Sequence, residues 1–203
     1  PEAALARVIE RHGLARPFAA TPWYLLIEVE LAADTATEQA LAVFEKLRAG
    51  GRVSDGVLAQ SETQARELWR LREGISDTLA AWSPWKNDVA VRTALLPAFL
   101  ARVRQLCADR FPELEMIWFG HLGDGNIHIN ALKPAAWTEE RFHAAGERLS
   151  AAIGALVQEF RGSISAEHGI GLLKKALLPY SRSAAELQLM RAVKQLFDPN
   201  RIL

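Results

Sequence analysis

One cysteine stands in 203 residues, so Cys107 has no partner in its own chain and an internal disulfide is excluded. A chain without disulfides fits a reducing compartment and predicts a cytoplasmic location. The thiol sits inside the apolar helical pattern FLARVRQLC, which predicts a buried, inert side chain and not a nucleophile. An excess of charge of one sign is also lacking: Lys+Arg 24 balances Asp+Glu 24. That balance gives no support for the broad basic surface with which a protein displaces counterions from nucleic acid, so no nucleic-acid partner is expected. No apolar run approaches the roughly 20 residues of a membrane-spanning helix. Low-complexity linkers and short repeats are absent. No G-x-G-x-x-G follows a predicted strand, so the chain offers no dinucleotide fingerprint.

What is there patterns well. The periodicity predicts helices over 1–13, 35–51, 61–82, 97–111, 138–160, 171–177 and 183–197. In the third of these Leu68, Leu71, Ile75, Leu79 and Trp82 form one apolar stripe, with Ser61 as N-cap. YLLIEVEL (24–31) alternates and predicts a half-buried strand. RVSDGVLAQ (52–60), KNDVAVRTAL (86–95), ELEMIWFGHL (113–122) and NIHINALK (126–133) predict four more. Two similar halves, each with strand–helix–strand, point to an α+β fold of ferredoxin-like type: a mixed or antiparallel sheet with helices over one face.

The chemistry concentrates at the last two strands. GDGN between them is a turn signal, so they should form a hairpin. Alternation then places His128 and Asn130 on one face and Ile127 and Ile129 on the other. His121, on the face of Ile117 and Phe119, comes within reach of His128 across the ladder. Two imidazoles held on adjacent strands are half of a metal site; two satisfied histidines beside a routine turn are the plain alternative. SAEHGIG adds Glu167 and His168 on a glycine-flanked loop. Two histidines and one carboxylate suit a divalent ion, whether zinc, manganese or iron, whereas an acidic residue complementing a helix N-terminus is the plain reading of Glu167. Arg72 and Ser76 share a helix row and could hold a carboxylate, or form a solvated face with Glu73 and Asp77. Lys86 is open between a substrate contact and a snorkelling surface lysine.

GHLGDGNIHIN, AEHGIGLLKK, LWRLREGIS, KNDVAV and the closing FDPNRIL together resemble the C-terminal domain of FAD-linked oxidases, the family of D-lactate dehydrogenase, D-2-hydroxyglutarate dehydrogenase and the D subunit of glycolate oxidase. The resemblance runs over about residues 20–203. It implies that residues 1–203 are one substrate- and metal-binding cap domain of a longer chain, whose FAD domain lies N-terminal. It implies His121, His128 and Glu167 as metal ligands, zinc first, and His168 as the proton-abstracting base. Arg72, Ser76, Lys86 and Asn130 would bind a D-2-hydroxy acid, and Asn126 would touch the cofactor. Serine at 76 stands where threonine is frequent, and Arg92 where proline is expected. The implied partners are the hydroxy acid, the FAD domain, an electron acceptor that could draw the protein to the inner membrane, and a second copy of the chain. A metal-dependent hydrolase using the same three ligands, and a non-catalytic ferredoxin-like binding module, are the rival readings.

Overall fold

The computed structural model describes residues 1–29 and 35–202, which fall into two compact units, Pro1–Ala81 and Trp82–Leu203. The first holds three helices: α1 (Glu2–His12), α2 (Ala36–Ala49) and α3 (Glu62–Ala80). Gly13, at φ 61, stops α1. Ser61 caps α3, its hydroxyl accepting from Gln64 N at 3.3 Å. α1 packs on α3. Ala4, Leu5 and Val8 on one helix and Leu71, Ile75 and Leu79 on the other are buried, at the three- and four-residue spacings of one helix face. Buried Thr78 lies 3.2 Å from His12 Nε2, which ties the two helices by a polar contact as well. Trp82, expected on the α3 stripe, lies beyond the helix end and is exposed.

Two expected strands are not formed. Residues 24–29 join no ladder, and Leu25, Ile27 and Val29 are exposed; residues 30 and 31 of that expected strand lie outside the described residues. Residues 52–60 are likewise irregular. Alternation marks a segment that could line a sheet, but a strand exists only where another edge completes its hydrogen bonds. The two halves are therefore not alike.

The second unit carries the sheet. Its elements are β1 (Trp85–Ala90), α4 (Leu96–Arg110), β2 (Glu115–His121), β3 (Asn126–Leu132), α5 (Glu139–Glu159) and α6 (Ala184–Phe197). The strand order is β1-β3-β2, with both pairs antiparallel. β3 thus inserts between two strands joined by a helical crossover. After α5 the chain returns to the free side of β1, where Ala90 and Ser163 exchange backbone hydrogen bonds at 2.8 and 3.0 Å. This is the β-α-β-β-α-β path of the ferredoxin-like motif, with its last strand reduced to one bridge. The α+β class with an antiparallel sheet is as expected, built from residues 82–203 alone. A short 3₁₀ turn, Lys175–Tyr180, stands near the helix expected over 171–177.

The sheet has two unlike faces. Val89, Trp118, Ile127, Ile129 and Ala131 meet α4 and α5 in one apolar core, with Phe99, Val103, Phe142, Leu149 and Ile153 at its centre. Gly146 lets Trp85 lie against α5: a Cβ there would fall 2.1 Å from the indole Cδ2. Cys107 is buried in this core, and burial pushes its thiol up to about 12. The opposite face is mostly polar, with Lys86, Asp88, Asn126, His128 and Asn130 beside apolar Ile117 and Phe119. No helix among the described residues is long and apolar enough to cross a membrane.

Candidate active site

The turn between β2 and β3 is a 3₁₀ turn, Leu122–Asp124, closed by Gly125 at φ 66. Gly125 O accepts from Val91 N at 3.0 Å, which anchors the hairpin to the end of β1. The resulting register pairs His121 with Asn126, Phe119 with His128 and Ile117 with Asn130. On the other side of β3 it pairs Asp88 with His128 and Lys86 with Asn130. Directly paired residues share a face, so these side chains all belong to the polar one. The His121 and His128 rings stand 6.0 Å apart, edge to face, and Phe119 leans on His128 at 4.8 Å. The histidine pair expected from alternation is therefore formed.

Glu167 comes to this pair from the loop after Ser163. Its Oε1 lies 2.6 Å from His121 Nδ1 and accepts from Asn126 Nδ2. Its Oε2 lies 3.9 Å from His128 Nε2. Donor atoms of His121, His128 and Glu167 all fall within 4.8 Å of one another. Tetrahedral zinc bonds of about 2.0–2.1 Å set neighbouring ligand atoms about 3.4 Å apart. The two distances, to different oxygens of Glu167, fall on either side of that spacing, so side-chain shifts on the order of 1 Å would close the set on an ion. The donors fit a divalent cation, and the buried Asn126 Oδ1, which has no hydrogen-bond partner among the described residues, adds an acceptor beside them.

His168 follows directly. Its ring stacks on His128 at 5.4 Å, nearly parallel. Glu167 and His168 thus diverge, one toward the histidine pair and one over the outer side of His128. His121, Glu167 and His168 are about half exposed, at 47, 42 and 52% of their side chains, so the cluster is open on one side.

Asp88 is the residue that sequence reasoning missed. Its Oδ2 accepts from three successive backbone amides, Ala166 N at 3.1 Å, Glu167 N at 3.0 Å and His168 N at 3.1 Å. Lys174 Nζ stands 3.7 Å from the same oxygen. Burial pushes the Asp88 carboxyl up, but the Glu167 and His168 amides and the Lys174 ammonium outweigh it and hold the group below its ordinary range. Glu167 is likewise held low: burial raises it, and the hydrogen bonds from His121 and Asn126 outweigh that. Burial lowers Lys174, against the pull of Asp88. The signal in the sequence was the alternation of KNDVAV, which sets Asp88 on the face of Lys86.

The structure brings His121, His128, Glu167, His168 and Asn126 into one cluster. Lys86 is exposed at the partner position of buried Asn130, whose Nδ2 donates to Ile117 O at 3.4 Å. Asn126, expected at the cofactor, donates from Nδ2 to Glu167 Oε1. Arg72 and Ser76 lie one turn apart on α3 in the first unit, with the guanidinium and hydroxyl that a carboxylate needs.

Residues 3–203 match the family described as FAD linked oxidases, C-terminal domain. The chain belongs to this family. Its curated relatives include the D-2-hydroxyglutarate dehydrogenase of Stutzerimonas stutzeri, 45% identical over 201 residues that cover 98% of this chain and 43% of the relative. The D-2-hydroxyglutarate dehydrogenase of Xanthomonas citri pv. viticola is 48% identical over 193 residues, covering 95% and 41%. The mitochondrial D-2-hydroxyglutarate dehydrogenase of Bos taurus is 35% identical over 213 residues, covering 100% and 36%. The chain therefore spans less than half the length of these relatives. In this C-terminal domain of FAD-linked oxidases the histidine–glutamate cluster lies on the sheet face opposite α4 and α5.

Proposed function

We propose that this chain is the substrate- and metal-binding domain of a flavin-dependent dehydrogenase that oxidises a D-2-hydroxy acid, with D-2-hydroxyglutarate the first substrate to test. The carrying observation is the convergence of His121, His128 and Glu167 donors within 4.8 Å, with His168 stacked alongside. The relatives' names supply the substrate.

His121, His128 and Glu167 would hold the divalent ion, zinc first by donor type. When bound, the ion supplies Lewis-acid polarisation of a hydroxyl and the flavin, held by other parts of the longer protein, supplies a hydride acceptor. The chain's own residues do the rest. His168 is exposed and fixed through its backbone, so its ring can take the hydroxyl proton. Lys86 offers an ammonium on the same face for a carboxylate of the acid. The assignment of Arg72 and Ser76 to the hydroxy acid rests on the resemblance of LWRLREGIS alone. An exchangeable electron acceptor and a homodimer belong to the same proposal.

The test uses the longer protein that carries this chain. His121→Ala and His128→Ala should each lose bound metal and dye-coupled oxidation of D-2-hydroxyglutarate. His168→Gln should keep the metal and lose roughly 10²–10⁴-fold in kcat. Wild-type metal content and turnover in both alanine variants would reject the ligand assignment. The absence of a flavin spectrum, or of activity across a panel of D-2-hydroxy acids, would reject the reaction.

A further inference from the structure

We infer that Asp88 is the positioning residue of this site: one buried carboxylate sets both the loop that carries Glu167 and His168 and the ring of His128. The inference rests on the proposed function, because it assigns Asp88 a part in that same site.

The side chain of Asp88 is 1% exposed, the most enclosed charge in the cluster. Its two oxygens do different things. Oδ2 gathers the amides of residues 166, 167 and 168. Those residues belong to no helix or strand, so nothing in a regular ladder fixes where their side chains depart. Three amides aimed at one anionic oxygen do fix it, and bonds to a charged acceptor are about twice as strong as neutral ones. Lys174 donates to Ser165 Oγ at 3.1 Å while facing Asp88, which ties the loop to its counter-charge.

Oδ1 has no hydrogen bond among the described residues, and His128 Nδ1 lies 3.5 Å from it. An Nδ1–H aimed at Oδ1 leaves Nε2 with its lone pair on the Glu167 side, where a metal ligand needs it. Carboxylates behind ligand histidines fix ring orientation and tautomer in this way. Asp88, His128 and His168 also form a second cluster of ligand atoms within 4.8 Å. An ion there would meet the Lys174 ammonium, which already stands 3.7 Å from the same carboxylate, so the geometry favours Asp88 as support and not as ligand.

The experiment again uses the longer protein. Asp88→Asn keeps size and removes the charge. It should weaken zinc binding about 10- to 100-fold and lower kcat by at least about 10-fold, with KM for D-2-hydroxyglutarate within about threefold. Hydrogen exchange should quicken in peptides covering 163–174 and stay unchanged over β3. A merely structural aspartate would leave zinc affinity and the kcat-to-KM split untouched. Wild-type zinc affinity, kcat and loop exchange in Asp88→Asn would overturn the inference. Should that variant not fold, Lys174→Met carries the test: faster loop exchange and lower kcat are expected, Lys174→Arg should restore both, and wild-type values in Lys174→Met overturn it. His121→Ala in the same preparation separates the two ideas. If it loses metal while Asp88→Asn binds metal normally, only the inference fails; if neither variant alters metal or turnover, the proposed function fails, and loop exchange still judges the role of Asp88.

Discussion

Replacing Gly125 with alanine should undo the hairpin that carries both histidines. Gly125 has φ 66, and a Cβ placed there would lie 1.9 Å from the Val91 carbonyl oxygen, where real Cβ contacts stay beyond 3.0 Å. The left-handed conformation costs an alanine about 1–2 kcal/mol. Clearing the overlap requires a movement of about 1 Å, the gap between those two distances. That movement breaks the Val91 N to Gly125 O bond, now 3.0 Å, and leaving such groups unpaired costs about 1–3 kcal/mol. The total, about 2–5 kcal/mol, is a large share of a typical folding free energy of about 5–15 kcal/mol. Urea unfolding followed by tryptophan fluorescence reads it directly. Gly123→Ala, with open space around its Cβ and no positive φ, is the matched control and should stay within about 0.5 kcal/mol of wild type. A Gly125→Ala protein with an unshifted midpoint would show that the turn relaxes freely and that the anchoring argument is wrong.

Ser150 accepts from Trp85 Nε1 at 2.8 Å and donates to Asn87 Oδ1 at 2.7 Å; Ser150→Ala strands both partners and should lower stability by about 2–3 kcal/mol, read as a urea midpoint shift, with an unchanged midpoint counting against it. Cys107, buried and pushed up to about 12, should resist a disulfide-exchange reagent at mildly alkaline pH until the protein unfolds, and rapid labelling of the native state would contradict its placement. Glu2 is held below its ordinary value of 4.5, first by the hydrogen bond from Arg16 and then by that from Tyr24, with burial opposing. A depressed folded pKa contributes stability that is present above about pH 4.5 and is lost as the pH falls through the lower folded value. Glu2→Gln should therefore flatten the acid side of a midpoint-versus-pH curve, and a variant curve parallel to wild type would refute the assignment.

The site was legible where local pattern decides position. Period-two alternation put His128 and Asn130 on one face, and the glycine-rich turn brought His121 within reach of His128. The apolar stripe of α3 and the cap at Ser61 follow from periods and residue types that act within one element. Elsewhere the outcome depended on distant partners. YLLIEVEL alternates as cleanly as β3, yet β3 has a neighbour on each side and residues 24–29 have none among the described residues. The grip of Asp88 on residues 166–168 spans almost 80 positions, and no local period encodes it. An aspartate between Asn87 and Val89 reads as an ordinary surface charge until the returning chain closes over it. The single bridge at Ser163 was hidden for the same reason: one residue carries no periodicity.

His128 stands between Asp88 and Glu167, one ring nitrogen toward each. That double duty narrows what can replace it. A glutamate or a thiolate at 128 would still offer a pair of electrons to a cation, yet would set a second anion against a carboxylate enclosed by the sheet. A glutamine could bridge two hydrogen-bonding partners but is a poor ligand. Of the ordinary side chains, only an imidazole both donates on one edge and coordinates on the other. Losses from removing its two neighbours should accordingly fail to add, because both act on the world through the same ring.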